Sequence, residues 1–193
     1  SRTIGEGALF VPIRGEKTDA HIYIDAVFAA GAAATLTQND TSKQDVHPWI
    51  YVPDTVEALQ KIASFYRESF SMPVIGITGS VGKTTTKEMV SLAMSASWNV
   101  MKTEGNQNSQ VGLPLTLFRM KQEHQAAVIE MGMSDFGEMA RLAAIARPQY
   151  AVMTNIGISH IQQLKTQENI LKEKLHIMDY FSEDSVLFLN GED

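Results

Sequence analysis

Residues 76–86 read Gly-Ile-Thr-Gly-Ser-Val-Gly-Lys-Thr-Thr-Thr, a glycine-rich turn ending in Gly-Lys-Thr that grows out of the apolar run Val74 to Ile77. A short buried strand feeding a loop of convergent backbone N–H groups can hold a nucleoside triphosphate, with Lys83 adding a point charge and Thr84 a hydroxyl for Mg²⁺. The spacing departs from the common G-x-x-x-x-G-K-[ST], because Ile77 stands five positions before Gly82 and the glycines fall at Gly76 and Gly79. The context is still the one such a loop needs: a strand-like run before it and the helix-compatible stretch Lys87 to Ser97 after it.

Other residues could work with a bound nucleotide. Glu130 ends the apolar run Ala127-Val128-Ile129. A carboxylate at the tip of a buried strand in the same sheet suits a nucleotide-bound Mg²⁺, the plainer alternative being a solvated strand end. His160 follows the run Tyr150 to Thr154 and the turn Asn155-Ile156-Gly157, where a neutral imidazole suits a divalent ion. The amide-rich segment Thr103 to Pro114 carries Asn106 and Asn108, which either donate to phosphate or carboxylate or belong to a plain connecting loop. Lys172 and Lys174, on a helix expected over Gln167 to Phe181, read as solvated surface lysines.

The elements that must position these residues form two groups. Up to about Arg67, short β-like runs (Ala8 to Ile13, Ala33 to Thr37, Trp49 to Val52) surround a helix candidate from Ile24 to Ala30. Asp54-Thr55-Val56-Glu57 has the form of a capping box, and Val56, Leu59, Ile62, Ala63 and Tyr66 then recur at helical spacing. Ser69 to Pro73 reads as a linker. From Val74 the pattern alternates strand and helix, with strands at Val74 to Ile77, Asn99 to Lys102, Ala126 to Ile129, Tyr150 to Thr154 and Ser185 to Leu189. Helices are expected at Thr85 to Ser97, Val111 to Arg119, Phe136 to Ala146 and Gln167 to Phe181. The fold class is therefore α/β: a small mixed amino-terminal domain over 1–68, then a mostly parallel sheet over 74–193 with helices on both faces and ligands at the carboxyl ends of its strands.

With 193 residues, 44% hydrophobic and 20% charged, the chain has the composition of a globular protein. Its net charge of −6, with 16 scattered Lys and Arg, argues against a nucleic-acid partner. The lack of cysteine excludes disulfides and thiolate chemistry and fits a cytoplasmic setting. No run is apolar enough for a membrane-spanning helix. A monomer is expected. The chain begins at Ser1 and stops just after a strand-like run, so a piece of a larger protein is expected, with little or no activity of its own.

The segments Gly79 to Glu88, Gly105-Asn106 through Thr116, Glu130-Met131-Gly132-Met133 with Gly137-Glu138, and Asn155-Ile156-Gly157 with His160 resemble the Mur ligases in order and over nearly the whole chain. The resemblance implies ATP-dependent amide-bond formation through an acyl phosphate, with two Mg²⁺ ions neutralising the charge that gathers. Within the family, the segments favour transfer of D-Ala-D-Ala to UDP-N-acetylmuramoyl-tripeptide. A sister ligase adding the third residue and a folylpolyglutamate-synthase-like enzyme are the alternatives, and an ATP-binding switch that ligates nothing ranks below both.

Carried over by resemblance, Gly79, Ser80, Val81, Gly82, Lys83, Thr84 and Thr85 cradle the phosphates, and Asn190 lies near the adenine. Thr84 and Glu130 hold the first Mg²⁺ and His160 belongs to the second. Lys174 is the lysine that CO₂ converts to a metal-binding carbamate. Lys83, Lys174 and His160 form the catalytic set. Ser1, Asp19 and His21 fall to the uridine-nucleotide end and Asn106 and Asn108 to the substrate loop. The chain departs from the family at Asn108-Ser109, where two asparagines are usual, and at Asp19-Ala20-His21, where Asp-Gly-His is usual.

Overall fold

The computed structural model describes residues 4–15, 17–39 and 47–191, which form two compact units divided between Leu59 and Gln60. In the first unit, β1 (Leu9–Phe10), β2 (Ala34–Thr37) and β3 (Trp49–Tyr51) make a parallel sheet in sequence order, beside α1 (Ile24–Ala29). Phe10, Val27 and Ala32 are its buried centre. β1 and β3 end two residues before Pro12 and Pro53, which have no N–H to donate to a ladder. The helix α2 (Thr55–Glu68) opens with Asp54 Oδ1 accepting from the Glu57 N–H at 2.8 Å, as the capping sequence requires.

The second unit is built on five parallel strands in the order β5-β6-β4-β7-β8: β4 (Val74–Thr78), β5 (Val100–Lys102), β6 (Ala126–Glu130), β7 (Tyr150–Met153) and β8 (Val186–Leu189). The α/β reading holds, and every pairing in this sheet is parallel. The chain leaves β4 for the β5 edge through α3 (Lys83–Met94). It returns and crosses to β7 and β8 through α4 (Gly112–Leu117), α5 (Glu138–Ala146), α6 (Ile161–Leu164) and α7 (Gln167–Leu175). Right-handed crossovers in opposite directions place helices on opposite faces. Accordingly Val90 and Met94 of α3 pack on Ile75, Ile77, Ala126 and Val128, while α4, α5 and α7 pack on Val74, Ala127 and Ile129. Alternation along β6 puts Glu130 on the α3 side with Ala126 and Val128, which decides what it can meet.

Several boundaries differ from the sequence pattern for local reasons. α3 begins at Lys83, so the end of the phosphate loop is itself the first helical turn. α5 starts at Glu138 rather than Phe136 because Gly137 sits at φ 73°, outside helical space. α7 stops at Leu175, and a 3₁₀ turn over His176–Met178 follows, with His176 Nδ1 paired to the Asp179 carboxylate. The Ser69 to Pro73 stretch is more than a linker. Phe70 and Met72 are buried, and the Arg67 guanidinium, 5% exposed, donates to the carbonyls of Phe70, Met72 and Ala146.

Candidate functional site

The loop between β4 and α3 is shaped by backbone that only glycine adopts easily. Gly79 has φ 141°, and a Cβ there would stand 1.9 Å from Thr154 Oγ1; Gly82 has φ 81° and caps α3. The first-turn N–H groups of Lys83, Thr84 and Thr85 have no i−4 carbonyl within the helix, the arrangement that attracts an anion. Asn155, just past β7, braces the loop: its Oδ1 accepts from Ser80 N at 3.1 Å and Val81 N at 3.0 Å, and its carbonyl accepts from Ser80 N at 3.0 Å. Ser80 Oγ in turn accepts from Gly157 N at 2.9 Å. Lys83 Nζ folds back onto the Gly79 carbonyl at 2.8 Å, at the mouth of the same loop.

Glu130 meets α3 as the strand alternation dictates. Its Oε2 accepts from Thr84 Oγ1 at 3.0 Å and its Oε1 from Asn108 Nδ2 at 2.8 Å, with 2% of the residue exposed. Among the described residues no cation pairs with this carboxylate; its partners are a hydroxyl and an amide, while the Glu130 backbone N–H donates to Thr103 Oγ1 at 2.9 Å. A buried carboxylate held by neutral donors next to a helix N-terminal phosphate loop fits a divalent cation, to which Thr84 and Glu130 would offer oxygens.

Lys174 corrects the surface reading of its helix. α7 turns Ile170, Glu173 and Lys174 inward, so Lys174 is 2% exposed, while Lys172 stays at the surface paired to Glu168 at 2.7 Å. Burial, reinforced by the nearby Lys83 charge and opposed by Glu173, pushes the Lys174 ammonium down to about 8. His160 opens α6 at φ 64°, and burial together with Lys174 and Lys83 keeps its imidazole neutral to lower pH than usual, against a smaller pull from Glu138. Lys83, Lys174 and His160 are thus electrostatic neighbours. Among the described residues no three His, Cys, Asp or Glu side chains gather as a metal cluster.

Glu173 has a separate task. Its two carboxylate oxygens accept from Gly137 N at 3.0 Å and Met139 N at 2.9 Å, closing the start of α5. Glu173→Ala leaves both N–H groups unpaired inside the protein, and we expect a loss of about 3 kcal/mol in denaturant unfolding; a change within the error of the measurement would remove this role.

The remaining candidates stand elsewhere. Asn190, just after β8, lines a pocket of about 460 Å³ with Met153, Ile156, Gln167, Glu168, Leu171 and Leu189. Thr85 is exposed beside Thr84, and Asn106 is exposed in the loop that carries Asn108. Asp19 and His21 belong to the first unit, where the His21 ring is enclosed: Nδ1 pairs with Asp19 and Nε2 accepts from Gln38 N at 3.1 Å. The His21 backbone N–H, which donates to Asp19 Oδ1 at 2.9 Å, and then the ring pairing hold the Asp19 carboxyl below the usual carboxylate range. Ser1 lies outside the described residues. Sequence reasoning gave no individual site role to Asn155, Thr103, Lys87 or Glu173, although the first three lie in segments it singled out. Lys87 had a signal, since it shares a helical stripe with Val90, Ser91 and Met94; Asn155 and Thr103 had none beyond lying at strand exits.

Residues 77–193 match the family model described as Mur ligase middle domain, and residues 1–67 that described as Mur ligase family, catalytic domain. The chain is 42% identical over 194 residues to the UDP-N-acetylmuramoyl-tripeptide–D-alanyl-D-alanine ligase of Bacillus subtilis, covering 100% of this chain and 42% of the relative. The enzyme of the same name from Treponema pallidum is also 42% identical, over 98% of this chain and 43% of its own length. Among solved structures, the MurF ligase of Thermotoga maritima in complex with ADP superposes with a TM-score of 0.91 at 34% identity, covering 100% of this chain and 44% of that one. The chain therefore spans about two-fifths of the length of these relatives. Sequence model, relatives and backbone agree, and the chain belongs to the Mur ligase family.

Proposed function

We propose that these residues form the nucleotide-binding part of an ATP-dependent, ADP-forming ligase that joins D-Ala-D-Ala to UDP-N-acetylmuramoyl-tripeptide. The observation that carries this reading is the convergence, at one end of the sheet, of the phosphate loop, the Thr84–Glu130 pair and buried Lys174. A carboxylate does not acylate an amine unaided, so the γ-phosphoryl group must first pass to the tripeptide carboxylate. The resulting acyl phosphate is attacked by the dipeptide amine, releasing phosphate. The residues here would hold and orient the phosphates: the first-turn N–H groups of Lys83, Thr84 and Thr85 face them, within a loop that Asn155 braces at Ser80 and Val81, and Lys83 swings from the Gly79 carbonyl to meet them. Mg²⁺, when bound, would lower the repulsion between triphosphate and carboxylate.

Lys174 acts in this reading as a carbamate. Its neutral amine adds to CO₂ and loses a proton, turning a cation that repels Lys83 into an anion that pairs with it. With His160, the carbamate would offer ligands to a second ion. Residues 74–193 take the triphosphate, with Asn190 and its pocket beside the adenine, and residues 1–68, through Asp19 and His21, take the uridine end.

The test is phosphate release by a full-length ligase carrying these residues, assayed with the tripeptide nucleotide and D-Ala-D-Ala separately and together. Release requiring both supports the reading; release indifferent to both overturns it. The 193-residue chain alone, two-fifths of the length of its relatives, is expected to show background turnover, and a rate near that of the full-length ligase would refute this.

A further inference from the structure

Lys87 is a lysine that the proposed reaction leaves unused, and it is 1% exposed. It lies one turn beyond Lys83 on α3, pointing at the end of β5. Its Nζ donates to the Thr103 carbonyl at 2.9 Å and pairs with Glu88 at 3.0 Å; Glu88 also binds Lys102 of β5. A buried ammonium is retained against its desolvation only when such partners hold it. Thr103 is fully enclosed and tied at three atoms: its N–H donates to Val128 O at 3.1 Å, its Oγ1 accepts from Glu130 N at 2.9 Å, and its carbonyl accepts from Lys87. From Thr103 the chain runs into the loop that delivers Asn108 to Glu130, and the Asn108 carbonyl accepts from Gly132 N at 2.8 Å.

We propose that Lys87 is a positioning residue for the Thr84–Glu130 metal end, acting through Thr103. By anchoring the Thr103 carbonyl to α3, it sets the height of the Glu130 backbone and the start of the Asn108 loop against the same helix that carries Thr84. The carboxylate and hydroxyl offered to a cation are thereby held on one rigid support. Partners beyond the first ligands typically alter metal affinity tenfold or more when removed. The inference rests on the nucleotide-binding reading above.

The experiment titrates Mg²⁺ against ADP binding, with ADP affinity in EDTA and the thermal midpoint measured on the same samples. In Lys87→Met the Mg²⁺ concentration at half-maximal effect is expected to rise about tenfold, with ADP affinity in EDTA unchanged. Thr103→Val, which removes the acceptor for Glu130 N, is expected to shift it in the same direction, and Thr103→Ser to restore it. A lowered thermal midpoint with an unmoved Mg²⁺ dependence would make Lys87 purely structural and overturn the inference. If Lys87→Met does not fold, Glu88→Gln, at a half-exposed site, loosens the ammonium and is expected to shift the Mg²⁺ dependence about twofold to threefold; no shift there overturns the inference equally. Wild-type protein that binds ADP with no Mg²⁺ linkage removes the inference alone, whereas failure to bind ADP under any condition removes the nucleotide reading and this inference with it.

Discussion

Lys174→Ala in a full-length ligase carrying these residues is expected to lower turnover about a thousandfold, the scale seen when one preorganised group is taken from a transition-state-stabilising site, while ADP affinity changes less than about threefold. Lys174→Arg is expected to be equally damaging. Arginine keeps the positive charge but has no amine that can add CO₂, so it distinguishes a carbamate from a simple ammonium. Added propionate should restore part of the Lys174→Ala rate by placing a carboxylate in the vacated space, and should do nothing for Lys174→Arg, whose space is filled. Wild-type turnover at low bicarbonate should rise as the pH passes about 8, where the buried amine becomes neutral. An active Lys174→Arg enzyme, or one indifferent to bicarbonate, would remove the carbamate.

The same buried amine has a consequence for stability without ligands. Its pKa falls from 10.5 in the unfolded chain to about 8 in the folded one, so the unfolded state binds the proton more tightly. The destabilisation from burying the ammonium is fully present below pH 8 and is relieved as the pH rises from about 8 toward 10.5. Denaturant midpoints of the wild type relative to Lys174→Met should converge across that interval.

Gly79→Ala is expected to abolish measurable ADP binding and to lower stability by about 2–4 kcal/mol. Two separate penalties apply: φ 141° is backbone that residues with a Cβ rarely adopt, and the new methyl would stand 1.9 Å from Thr154 Oγ1. Thr154→Ala in the same chain removes the 1.9 Å clash, leaves the backbone strain and also removes the Thr154 Oγ1 hydrogen bond to the Val81 carbonyl, so the double variant, compared with Thr154→Ala alone, should recover part of the thermal midpoint and little of the ADP affinity. Isothermal titration and thermal unfolding of the three variants check this. Binding by the double variant equal to that of Thr154→Ala alone would mean that the clash alone matters and that the loop tolerates a Cβ at that φ.

Much of the fold was legible because its signals are local. Apolar runs bounded by glycine, proline and polar residues mark β4 to β8, and their alternation with helices fixes a parallel sheet. Element ends were less legible where side chains or special backbone intervene, as at Gly137, where a positive φ delays α5, and at His176, where a pairing with Asp179 accompanies the end of α7. Of the candidate site, the loop Gly79 to Thr84 stood out by its composition between a strand and a helix, and Glu130 by ending an apolar strand. Lys174 did not, because a lysine in a polar helix reads as solvated until the packing of Ile170 and Ile177 turns that face inward.

The sequence by itself determined that a phosphate loop stands between a buried strand and a helix, since glycine, lysine and threonine at close spacing constrain the backbone and charge within a few residues. Only the tertiary structure decided which partners that loop receives. Crossover handedness put α3 on the Glu130 side of the sheet, strand order set Asn155 against Ser80 and Val81, and the docking of α7 buried Lys174 near Lys83. These are contacts between residues 46 to 91 positions apart, and they depend on how strands are ordered and which face each helix covers, which no local pattern encodes.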